Sequence, residues 1–254
     1  MAPSLRGQLV AAGLAVGAVL AVDSSGLLSA RASAVLDDSA QLAGGLFAVV
    51  CCVWLARRAA GVRRSWRRLM AIGMVGWTVG QLIWSWYQVF ASQALPSPST
   101  ADVGYLIFPV FGLFALLTVA AEGLAERRRE RSALRYRLVL VLDGLMVVGS
   151  LLALTWATAL GAVVGAEASS TFAFAVAVAY PVTDLILVVM VVLLLVTKPV
   201  PARLRPELGL LGLGLVGLSA SDSIFAYVVA SGGSAMPPIA NAGFIAGPVL
   251  VGLR

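Results

Sequence analysis

Three aspartates interrupt stretches that are otherwise apolar: Asp143, Asp184 and Asp222. A charged carboxylate at the centre of a membrane helix costs roughly 2.5–3.5 kcal/mol on insertion scales. Such groups must face other helices, line a water-filled cavity, or carry a proton. The chemistry open to them is proton or cation binding, capture of a donor-rich ligand, or paired-carboxylate acid/base work. Composition removes much else. The chain has no histidine, the commonest metal ligand and neutral-pH acid/base group. Its two cysteines, Cys51 and Cys52, are adjacent within an apolar run and read as packed thiols. There is no His-based triad and no Ser–Lys pair at a shared depth. The sequence thus assigns no catalytic residue, no metal site and no identifiable cofactor.

Around the acids the local patterns differ. Asp184 closes the run Tyr180-Pro181-Val182-Thr183-Asp184, where Pro181 removes a backbone donor and frees a carbonyl near the carboxylate. Asp222 sits in Ser219-Ala220-Ser221-Asp222-Ser223, with Phe225 and Tyr227 beyond. Asp102 opens an apolar stretch after Pro96-Ser97-Pro98-Ser99-Thr100, where an acid complements a helix N-terminus. Tyr105, Phe108 and Pro109 follow it, and Gln81 lies in another apolar segment. Gln81, Asp102, Asp184 and Asp222 are expected to converge toward the outer half of a bundle. Tyr105, Tyr180 and Tyr227 join them as ligand-binding candidates, while Pro109 and Pro181 are read as structural. Asp143 is expected near the inner surface, ion-paired with Arg135 or Arg137. The bland reading of Asp184 and Asp222 is a neutral packing cluster bonded to nearby Ser, Thr and Tyr.

The elements that must carry these residues are membrane spans. Of 254 residues, 60% are hydrophobic and 12% charged, about half the charge of an ordinary soluble domain. About 20 apolar residues cross a bilayer as a helix. Eight such stretches are predicted: Gln8 to Val22, Gln41 to Ala56, Leu69 to Ala91, Ala101 to Ala121, Leu138 to Gly161, Thr171 to Thr197, Leu208 to Ala230, and Ile239 to Leu253. The fold class is all-α, a single polytopic integral membrane bundle over residues 1–254. The second stretch is allowed to begin as early as Ser33. A rival reading of the N-terminus is a secretory signal, from Arg6, the run to Val22, and the small residues Ser29 to Ala34.

The net charge of +6 follows this map rather than a nucleic-acid partner. Of the 18 basic residues, all but Arg31 fall on one side of the alternating spans. They cluster at Arg57 to Arg68, Arg127 to Arg137 and Lys198 to Arg205. The positive-inside rule then predicts a multi-pass protein of the inner (plasma) membrane with both termini cytoplasmic. Trp54 and Trp66 are expected to flank the arginine-rich loop. Gly212 to Gly217 is preceded by no strand, so it reads as a close-packing helix face and not a dinucleotide loop.

Repeated helix pairs, spans three-four, five-six and seven-eight, are expected from internal echoes. Gly76 to Tyr87 matches Gly217 to Val228 in its small, polar and aromatic order, with Gln81 opposite Asp222.

A wider set of marks runs from Leu69 onward. They are Gly80-Gln81 with Trp84, Ala101-Asp102 with Tyr105-Leu106 and Phe108-Pro109, and Leu142-Asp143-Gly144. Ala179-Tyr180-Pro181 with Asp184-Leu185, and Asp222 with Ala226-Tyr227, complete it. Together they resemble the multispan N-terminal region of actinobacterial signalling proteins that carry cytoplasmic diguanylate-cyclase (GGDEF) and phosphodiesterase (EAL) domains. The resemblance implies a membrane input module. No GGDEF or EAL segment follows Leu253 in this sequence, so it brings no cyclase activity to these residues.

Three functions compete. The first is a sensor in which a small-molecule or cation ligand shifts helix packing, with a cytoplasmic signalling partner or a homodimer as output. The second is a small transporter or ion or proton channel. The third is an intramembrane enzyme using a paired-aspartate mechanism. Membrane lipids are the expected surroundings in each.

Overall fold

The computed structural model describes residues 5–91, 98–127, 134–166, 170–196, 204–231 and 236–253. Within them the chain is an antiparallel helical bundle. Its helices are α1 (Leu5–Ser24), α2 (Ala30–Arg58), α3 (Gly61–Trp86), α4 (Thr100–Arg127), α5 (Leu134–Thr155), α6 (Thr171–Val196), α7 (Arg205–Ala230) and α8 (Ala242–Gly252). A π-helical turn, Tyr87–Ala91, extends α3. Another, Trp156–Leu160, carries α5 into one more α-turn, Gly161–Gly165. A 3-10 turn, Pro238–Asn241, leads into α8. Seven helices are long and apolar enough to cross a membrane, and the α8 segment is a shorter apolar helix. The protein is a multi-pass membrane protein of the predicted helical class.

Two predicted boundaries move, and both movements matter. The second span does not begin at Gln41: Ser29 caps α2 by accepting from the Ala32 amide at 3.3 Å, so the helix starts at Ala30. Asp37 and Asp38, which precede the predicted start at Gln41, therefore sit inside it. The third span does not begin at Leu69. The link from α2 is only Ala59 and Ala60, and Gly61 turns the chain at φ 58° straight into α3. Arg63, Arg64, Arg67 and Arg68 are thus helical, not loop residues. Trp66, expected at a boundary, is 2% exposed.

The bundle has two chemically distinct ends. The arginine end is a dense apolar core of Cys52, Trp66, Met70, Met74, Leu116, Val119, Leu187, Val191 and Leu208. It is closed by a buried ion pair. Arg67 lies between Glu207 Oε2 at 3.3 Å and the Val251 and Leu253 carbonyls at 3.2 Å each. Arg63 takes the other oxygen of Glu207. With both terminal nitrogens on a carboxylate and two helix-end carbonyls, and only Nε unmet, the guanidinium is tolerable in this low dielectric. The opposite end, where α2, α4 and α6 begin and α3 and α7 finish, carries the acids.

Glycines set the closest crossings. A Cβ at Gly104 would lie 2.6 Å from the Gly80 amide nitrogen, so α3 and α4 touch backbone to backbone. Gly243 of α8 meets the backbone of Gly217 in α7 the same way, and a Cβ at Gly214 would lie 2.8 Å from the Gly247 carbonyl. This extends the expected echo of spans three-four in seven-eight. Ala101-Asp102-Val103-Gly104-Tyr105 and Pro109 match, in sequence order, Ala240-Asn241-Ala242-Gly243-Phe244 and Pro248 of the 3-10 turn and α8. The packing follows suit, with α2 against α8 and α6 against α4. The pair α5–α6 lacks such contacts: Gly144 meets only the Leu193 side chain, and Gly149 meets nothing. The close glycine contacts fall in the pairs α3–α4 and α7–α8.

Candidate functional site

Tyr180 and Asp184 are four residues apart, so they share one face of α6. Asp102 and Tyr105 share a face of α4 by the same reasoning, as do Trp77, Gln81 and Ser85 on α3. The bundle turns these faces toward one another. Ser99 and Asp102 form a reciprocal helix cap: the Asp102 Oδ2 accepts from the Ser99 amide at 2.6 Å, and Ser99 Oγ accepts from the Ala101 amide at 3.2 Å. The free Oδ1 of Asp102 accepts from the Tyr180 hydroxyl at 2.5 Å. The expected role of Asp102 at a helix start is therefore seen, and the same carboxylate ties α4 to α6.

Gln81 is 3% exposed and acts as a relay. Its Oε1 accepts from the Tyr105 hydroxyl at 2.8 Å, and its Nε2 donates to Asp38 Oδ1 at 3.2 Å. The Tyr105 ring packs edge-on against Trp77, with centroids 6.1 Å apart. Its hydroxyl end lies in electrostatic range of Asp38, Asp102 and Asp222. Trp84 and Phe225 meet edge-on at 5.7 Å and join α3 to α7 beside this network.

Asp184 and Asp222 are neighbours across α6 and α7, within hydrogen-bonding reach of each other. Asp184 Oδ2 is shielded from solvent and receives no donor. Tyr180 lies in electrostatic range of Asp222 as well. Two adjacent carboxyls without a cation either share a proton or hold a positive or donor-rich group between them. Among the described residues the ion pairs are those of Glu207, at the far end.

The structure brings together six of the seven ligand-binding candidates: Gln81, Asp102, Tyr105, Tyr180, Asp184 and Asp222. Tyr227 stays apart. It is 56% exposed and lines a shallow groove with Gly161, Ala162, Gly165 and Ala230. Five residues along a helix is about 140° of turn from Asp222, which points it away from the acids. Pro109 and Pro181 are buried, and neither breaks its helix. Pro109 borders a small apolar cleft with Thr183 and Leu187. The side chains of Asp143, Arg135 and Arg137 lie outside the described residues, as does the segment after Arg127.

Sequence reading missed Asp37 and Asp38, which are 8% and 5% exposed. Asp37 Oδ2 accepts from Asn241 Nδ2 at 2.7 Å, linking α2 to the start of α8. Their one available signal was adjacency to an allowed helix start near Ser33.

Comparisons with family models, with curated proteins and with solved structures gave no match for this chain.

Proposed function

We propose that this protein is a membrane-embedded sensor, an input module whose acidic end binds a small molecule carrying an ammonium group or several hydrogen-bond donors. One observation carries the reading: Asp184 Oδ2 is shielded from solvent, and the group within its hydrogen-bonding reach is a second carboxyl, Asp222. Tyr180, Asp102, Tyr105 and Gln81 form the polar surround. The arginine distribution supports placing the acidic end outside the cytoplasm, in the plasma membrane, with both termini inside. Gln81 and Arg67 lie on one rigid helix, about 21 Å apart at 1.5 Å per residue. A ligand that prefers one packing of α3 would thereby shift the clamp on α8 and an attached cytoplasmic partner. The resemblance to the membrane regions of GGDEF and EAL signalling proteins fits this role.

The transporter reading needs a polar route to the other end. Met70, Met74, Leu116, Leu187 and Leu208 fill that path with buried apolar side chains, which favours a sensor. The test is thermal unfolding of the detergent-purified chain with methylammonium, ethanolamine and spermidine. Saturable stabilisation by one of them, lost in Asp184→Asn and Asp222→Asn variants that still fold, is expected. No stabilisation by any, or stabilisation unchanged in both variants, overturns the reading. Spermidine or methylammonium flux into proteoliposomes would replace it by transport.

A further inference from the structure

We propose that the corner where α2 meets α1 and α8 is a separate site for a hard monovalent cation, held by Asp37 and Asp38. Both side chains are more than nine-tenths buried. Each uses one oxygen and leaves the other unmet: Asp37 Oδ1 and Asp38 Oδ2 are shielded from solvent with no donor on either. The donors nearby are already committed. Asn241 serves Asp37 Oδ2, Gln81 serves Asp38 Oδ1, and Ser85, which lies within hydrogen-bonding reach of Asp38, gives its proton to the Gln81 carbonyl at 2.8 Å.

The charges are uncompensated as well. Asp23, 8% exposed, faces Asp37 and is bonded by the Ser33 hydroxyl, and Asp37 faces Asp38. The basic residue nearest in sequence, Arg31, is turned to the Val89 carbonyl at 3.4 Å and makes no ion pair among the described residues. The helix start at α4, which the sequence echo matches to that of α8, gives a contrast. Asp102, opposite Asn241, has acceptor bonds on both oxygens. The α2 corner is thus the acidic junction left open.

Carboxylate and amide oxygens are hard ligands that suit alkali and alkaline-earth ions. Among the described residues no three acidic, histidine or cysteine groups converge as a metal site. A divalent cage is therefore disfavoured, and two carboxylates in electrostatic range of each other, each with an unmet oxygen, call for a single positive charge. Here the expected ion is of the sodium class. The site lies on α2, whereas Asp184 and Asp222 lie on α6 and α7, with Gln81 and Tyr105 between the two.

The test is thermal unfolding of the full chain in NaCl, KCl, LiCl and N-methyl-D-glucamine chloride at equal ionic strength. The melting temperature is expected to rise saturably with one alkali cation over N-methyl-D-glucamine. Asp37→Asn and Asp38→Asn should each lose that response, and Asp184→Asn should keep it. Equal melting in all four salts overturns the proposal. So does a response that survives in both α2 variants, or one that disappears in Asp184→Asn alone. Should the α2 variants fail to fold, equilibrium dialysis of the wild-type chain against radioactive sodium decides. About one saturable ion per chain is expected, and none above the dialysis background overturns it.

Discussion

Replacing Glu207 by glutamine removes one charge from the closed end of the bundle and leaves Arg67 without its counter-ion. The Arg67 side chain is 1% exposed and that of Glu207 is 2%, so solvent cannot take over. Stranding a buried charge in this way costs about 3–5 kcal/mol. The Val251 and Leu253 carbonyls stay on Arg67, which puts the expectation at the lower end. A loss of about 3 kcal/mol cuts the folded-to-unfolded ratio by roughly two powers of ten. For a chain of this size it lowers the melting temperature by roughly 6–12 °C. Arg63→Gln is the internal control. Arg63 contacts the same carboxylate, but its side chain is 48% exposed, and exposed pairs contribute about 1 kcal/mol or less. Trp66 stacks on the Arg67 guanidinium with 4.2 Å to the ring centroid, and thermal unfolding followed by circular dichroism of the helices measures the loss. Arg63→Gln losing as much stability as Glu207→Gln, or Glu207→Gln melting within a degree of wild type, would refute the reasoning.

Other substitutions probe other links. Gly104→Leu drives a side chain into the α3 backbone near Gly80 and should cost about 1–3 kcal/mol or more. Gly17→Ala in α1, with nothing within 4 Å, should be neutral or stabilising in the same melts. Gln81→Leu strands the Tyr105 hydroxyl and one Asp38 oxygen, for an expected loss of about 1–3 kcal/mol per orphaned group. A Tyr105→Phe background should reduce that loss, which a double-mutant cycle measures. Cys52 is fully buried, whereas Cys51 is partly accessible. Both lie within the α2 span, so a water-soluble maleimide should label neither thiol quickly in the folded protein in a bilayer and both after denaturation, as counted by intact mass.

The span order and the gathering of six polar candidates were legible because each rests on local pattern. Hydrophobic length locates helices, and a spacing of three or four residues puts Tyr180 with Asp184 and Asp102 with Tyr105 on common faces. Asp37, Asp38 and Arg67 were hidden for the opposite reason. They lie in polar helix ends, where an apolar-run reading trims the helix and hands the residues to a loop. Their partners are distant in the chain: Asn241 for Asp37, and Glu207 for Arg67. Nothing in local spacing announces such pairs. Tyr227 erred differently, since nearness to Asp222 in sequence was read as nearness in space, although their helical phase separates them.

The sharpest test of the account is a cryo-electron microscopy map of the chain in a lipid nanodisc, at a resolution that shows ordered solvent. Non-protein density against Asp184 Oδ2 and Asp222, enclosed by Tyr105 and Tyr180, is the predicted result. Carboxyl groups of Asp184 and Asp222 turned outward onto acyl chains would contradict it.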